Sequence, residues 1–114
     1  MYRPFLAVAG LLGALGVATA AAASHGGDTY LGIVGNFLLF HAPALIGLSL
    51  LPRSRLITIA GYVLMAGLAL FCGDLAMRSF TGNALFPMAA PTGGGGLILG
   101  WLLVAASALF TRRT

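Results

Sequence analysis

The chain of 114 residues predicts an all-α, four-helix transmembrane bundle with both termini on the cytoplasmic side. Three observations lead there. Four apolar stretches each approach the roughly 20 residues that cross a bilayer as a helix. Charged residues make up 7% of the chain, against about a quarter in a soluble domain. The arginines gather at alternate ends of the apolar stretches.

Hydrophobic residues account for 60% of the sequence, and the mean hydropathy is +1.03. A water-facing surface cannot be assembled from that inventory. All six positive side chains are arginine, and the acids are Asp28 and Asp74. The pI near 10.3 therefore reflects scarcity of acids. No arginine patch interleaved with aromatics is present, so no nucleic-acid partner is expected. Cys72 has no second cysteine for a disulfide or a Cys-x-x-Cys site.

The spans fall at about 4–24, 30–51, 56–80 and 94–111 within one domain covering residues 1–114. Pro4 stands at a helix start, where a missing N–H costs nothing, and Ser24-His25-Gly26-Gly27-Asp28 closes the first span with turn formers. Pro52-Arg53-Ser54-Arg55 stops the second. After Phe80, the Thr81-Gly82-Asn83 turn and the prolines Pro87 and Pro91 predict an irregular connection, and Gly93-Gly94-Gly95-Gly96 a flexible approach to the fourth span. With no Lys-Ser/Thr after it, that glycine run is not a phosphate loop. If the spans alternate, Arg3, Arg53, Arg55, Arg112 and Arg113 share one face, which the positive-inside rule places in the cytoplasm. A signal-peptide reading of residues 1–24 competes, through Arg3 and the small residues Ala18 to Ala23. The apolar run exceeds the roughly 7–15 residues of a signal core, which favours a retained span.

Small residues let membrane helices approach closely. Gly10, Gly13 and Gly16 give the first helix a flat face, Gly96 and Gly100 the fourth, and Ala69 and Gly73 a third ridge. Packing within the bundle is the expected use, dimerisation through a glycine face the alternative. Trp101 and Tyr30 are expected near the interfaces and Tyr62 in the core.

Few polar groups enter the apolar stretches. Asp74 and Arg78 are four apart, on one helical face and within reach of each other. An unpaired charge at mid-membrane costs roughly 2.5–3.5 kcal/mol on insertion scales, so pairing explains the tolerance of both. Asn36 comes to a similar depth in the second span, with His25 and Asp28 just above. His25, Asp28, Asn36, Asp74 and Arg78 thus form the candidate outer-leaflet group, read either as a hydrogen-bonded staple or as a polar pocket for a headgroup, a quinone carbonyl or a proton. His41 lies near the bilayer centre, roughly 16 Å below His25 at the helical rise. Two imidazoles at such different depths do not make a haem site within one chain, so no cofactor or metal is expected. A neutral His41 bonded to a carbonyl or a hydroxyl of another helix is the simpler reading, and Pro43 would free an upstream carbonyl for it. Cys72 has no adjacent base and no catalytic constellation can be assembled.

The stretches Ala23-Ser24-His25-Gly26, Asn36-Phe37-Leu38-Leu39-Phe40-His41-Ala42-Pro43-Ala44-Leu45, Leu70-Phe71-Cys72-Gly73-Asp74-Leu75 and Pro91-Thr92-Gly93-Gly94 followed by Gly100-Trp101 resemble the domain of unknown function 423 family, also called transmembrane protein 256-like. The resemblance runs in order over nearly the whole chain. It implies a small four-helix protein of the bacterial inner membrane and carries no established activity. His25, His41, Gly73, Pro91, Gly93 and Gly94 match its motifs. The third-helix motif usually reads Phe-Ser-Gly-Ser, and Asp74 stands here where a hydroxyl is usual.

The expected protein is therefore a non-enzymatic accessory or assembly subunit in the bacterial cytoplasmic membrane, partnered by lipid and by a larger complex or by its own copies. The alternative is a small transporter or a lipid- or quinone-binding protein using His25, Asn36, His41, Asp74 and Arg78.

Overall fold

The breaks at Gly27–Asp28, at Pro52–Ser54 and at residues 82–88 divide the chain into α1 (Arg3–Gly26), α2 (Thr29–Leu50), α3 (Arg55–Thr81) and α4 (Ala89–Phe110). This is seen in a computed structural model that describes residues 1–110; Arg112 and Arg113 of the expected basic end, with the last residue of the fourth expected span, lie outside the described residues. All four helices are long and apolar enough to cross a membrane.

Local chemistry ends each helix as the sequence dictates. Gly27 takes the left-handed conformation at φ 67° and donates its N–H to the Ala23 carbonyl, a conformation in which a side chain would clash. The carboxylate of Asp28 caps α2 by accepting from the Leu31 N–H, and the Ser54 hydroxyl caps α3 by accepting from Ile57. Gly82, at φ 81°, closes α3.

Glycines set the pairing. Along α1 and α2, Gly16 lies against Leu39 and Gly35 against Ala20; along α3 and α4, Gly67 lies against Leu97 and Gly93 against Phe71. Numbers rise on one helix as they fall on the other, so each pair is an antiparallel hairpin. The hairpins join through α2 and α3, around a core of Phe5, Val34, Leu38, Leu45, Leu64, Leu68, Leu75 and Leu97. The expected all-α four-helix bundle is the observed architecture.

Three expectations change. First, α4 starts at Ala89 and the glycine run lies inside it. Pro91 fits in the first turn, where its N–H would have no partner, and close packing on α3 outweighs the weak helix propensity of glycine. Second, the tight glycines of α3 are Gly61, against the Phe5 ring, and Gly67, against the backbone of α4, while Gly73 makes only an ordinary contact with Leu85; on α1, Gly16 is tight and Gly10 is open. Third, Tyr62 is exposed rather than core, its hydroxyl 2.9 Å from that of Tyr2. There the chain start is fastened: Tyr2 N–H donates to the Ser49 carbonyl at 2.8 Å, and the Arg53 guanidinium lies 4.2 Å from the Tyr2 ring centre. Arg3, Arg53 and Arg55 consequently share one end of the bundle, opposite Asp28 and Arg78.

Candidate functional site

The acidic end holds two carboxylates with different tasks. Asp74 is fully buried. Its Oδ2 accepts from Arg78 Nε at 2.8 Å, and its Oδ1 accepts from the Leu85 N–H at 2.8 Å. One side chain thus holds its ion partner one turn along α3 and also folds the α3–α4 connection back onto the bundle. The Arg78 side chain is 37% exposed, consistent with an aliphatic stem in the apolar zone and a head reaching toward the surface.

Asp28, in the α1–α2 turn, caps α2 with one oxygen and accepts from the Ser79 hydroxyl with the other. That second bond ties the first hairpin to the end of α3. The Ser79 hydroxyl first, then the Leu31 N–H, hold the Asp28 carboxyl below its ordinary value of 3.8. A carboxyl depressed in the folded protein stabilises it fully above the unfolded value and loses that contribution as pH falls through the folded value. The stability advantage of the native chain over Ser79→Ala is therefore expected to be constant above about pH 5 and to shrink as pH falls below about 4. Thermal unfolding of both proteins in mild detergent across that range checks it, with Asp74 common to both.

The second polar site lies at mid-membrane. His41 on α2 is 6% exposed; one ring nitrogen, Nδ1, is 2.7 Å from the Phe37 carbonyl, and the other, Nε2, is 3.1 Å from Trp101 Nε1 on α4. An indole nitrogen can only donate, so Nε2 accepts and Nδ1 carries the proton: the imidazole is neutral and both its nitrogens are engaged. Around this link a cleft of about 500 Å³ opens between α2 and α4, lined by Phe37, Phe71, Leu97, Trp101 and Leu102. Trp101→Phe removes the donor and leaves Nε2 buried and unpaired, an expected loss of about 1–3 kcal/mol. Chemical unfolding from mixed micelles measures it.

The five candidate residues do not come together. Asp74 and Arg78 pair, and His41 belongs to the α2–α4 link. His25 sits exposed at the end of α1, with Nδ1 2.9 Å from the Ala21 carbonyl of its own helix. Asn36 projects from the exposed face of α2, because Gly35 and Val34 beside it take the inward directions. Depth was readable from position along each span; rotation about the helix axis was not. Trp101 is a correction of the same kind: it lies mid-helix, not at an interface, and its partnership with His41 becomes visible once α4 begins at Ala89. The partner carbonyl of His41 is Phe37 in its own helix, not one freed by Pro43. Ser79 and the Leu85 N–H lie outside the expected group; the one sign of Ser79 in the sequence is a hydroxyl next to Arg78 near the end of the third span.

Four apolar helices with an ion pair at one end and a neutral histidine link at the centre make this a small multi-pass membrane protein. The chain matches the family model described as protein of unknown function (DUF423) over residues 12–94, and it belongs to that family. No solved structure matches the chain.

Proposed function

We propose that the protein is a non-enzymatic accessory or assembly subunit of a larger complex in the bacterial cytoplasmic membrane, with both termini in the cytoplasm. The observation that carries this reading is the use to which the inward polar groups are put. Asp74 holds Arg78 and the α3–α4 connection, Asp28 holds Ser79, and His41 holds Trp101, each with its bonding atoms engaged inside the bundle. Such groups fasten helices and leave a rigid apolar body suited to lying against other membrane segments. Arg3, Arg53 and Arg55 at one end support the orientation.

Gentle extraction followed by native mass analysis tests the assignment. The expected result is a hetero-complex larger than any assembly of this chain alone. A second reading, binding of a lipid or quinone, is favoured by the α2–α4 cleft, whose aromatic walls suit an apolar chain. A particle made only of this chain with stoichiometric lipid or quinone would support that reading and overturn the first.

A further inference from the structure

We infer that α2 is a self-association surface, where a second copy of this chain docks with its own α2 alongside and its Asn36 against Asn36. Along the exposed face of α2, Asn36, Phe40, Pro43, Gly47 and Leu50 form one line, with exposed Ile46 beside it. They recur at alternating steps of four and three, the spacing at which two parallel helices keep one seam in contact through a left-handed crossing. An apolar seam would be equally at home in lipid. Asn36 is what distinguishes this face.

The Asn36 amide lies about 10 Å along α2 from its outer end, within the hydrocarbon. Among the described residues its side chain has no hydrogen-bond partner. Hydrocarbon supplies none, and an amide left unbonded there is costly. The chemistry of the group selects its partner: a carboxamide both donates and accepts, so two of them at the same depth satisfy each other. A twofold axis along the membrane normal produces that arrangement, since it runs the two α2 helices parallel and sets equal residue numbers opposite. A single asparagine in an otherwise apolar heptad seam also fixes register and favours a defined pair over looser assemblies. The seam carries no charge to oppose this. At Gly47 an added Cβ would meet nothing within 4 Å, so the backbone there is open to a neighbour. This inference does not depend on the accessory role, because a pair of copies can stand alone or within a larger complex.

Full-length protein in phosphatidylcholine vesicles provides the test. With Cys72→Ser as background, Phe40→Cys, Gly47→Cys and Leu50→Cys are oxidised, beside Leu15→Cys on α1 and Ile98→Cys on α4, which are also exposed. Disulfide-linked pairs are expected at 40, 47 and 50 and weakly or not at all at 15 and 98. Energy transfer between labelled copies diluted into lipid should show Asn36→Leu weakening association about three- to twentyfold, the range that interhelical hydrogen bonds in membranes span. Asn36→Gln should restore it. Unchanged Trp101 emission confirms that the variants keep their fold. Equal association of native protein and Asn36→Leu, strongest cross-linking at 15 or 98, or adducts from native membranes at 40 and 47 only with a different polypeptide would each overturn the inference.

Discussion

Arg78→Leu is expected to lower the melting temperature of the detergent-extracted protein by at least roughly 10 °C, and by more than Asp74→Asn does. The two partners differ in their surroundings. Asp74 is fully buried, whereas the Arg78 side chain is 37% exposed. Removing the arginine strands a carboxylate with nowhere to go. Removing the carboxylate's charge strands a guanidinium that can still reach headgroups. Asp74→Asn nevertheless carries its own penalty: the amide has one acceptor where the carboxylate used two, so either Arg78 Nε or the Leu85 N–H faces an NH2 group. The double variant Asp74→Asn with Arg78→Leu should be more stable than the sum of the two losses allows, because no orphan charge remains. Circular dichroism melting of the four proteins checks the order, and a smaller loss for Arg78→Leu than for Asp74→Asn would show that the carboxylate finds relief elsewhere.

The same pair shows which parts of this structure were legible in the sequence. Spans, their alternation and the Asp74–Arg78 contact follow from quantities linear in residue number: apolar length, the position of arginines and a spacing of four. Depth in the membrane is linear too, which placed His41 near the centre. The direction a side chain takes around its helix is a different matter. In water an apolar stripe marks the inward face; in lipid both faces are apolar, and the stripe disappears. Depth alone therefore groups Asn36 with Asp74, although Asn36 points outward. Small residues were the usable mark. Gly35 packs on Ala20 and Gly16 on Leu39, and a residue next to Gly35 is turned about 100° away from it. The beginning of α4 is hidden in the sequence for a related reason: four consecutive glycines suggest a loop on propensity, and close contact with α3 makes them helix.

That glycine run yields the second large effect. Gly93 and Gly95 are two residues apart in one helix and stand in opposite circumstances. A Cβ at Gly93 would come 2.5 Å from the Phe71 backbone nitrogen and 2.9 Å from the Gly67 carbonyl oxygen, while one at Gly95 would meet nothing within 4 Å. Backbone cannot turn aside as a flexible side chain can, so Gly93→Leu must drive α4 away from α3. Overpacking typically costs about 1–3 kcal/mol and this case should reach at least the upper end. The displacement would also carry Trp101 away from His41, since Trp101 reaches α2 from α4. Gly95→Ala should instead be neutral or stabilising by up to about 1 kcal/mol, because it removes backbone freedom without touching a neighbour. Unfolding in mixed micelles, read by the emission of Trp101, measures stability and the loss of the histidine contact together. If Gly93→Leu and Gly95→Ala behaved alike, the close approach of α3 and α4 would be the wrong account of why this segment is glycine.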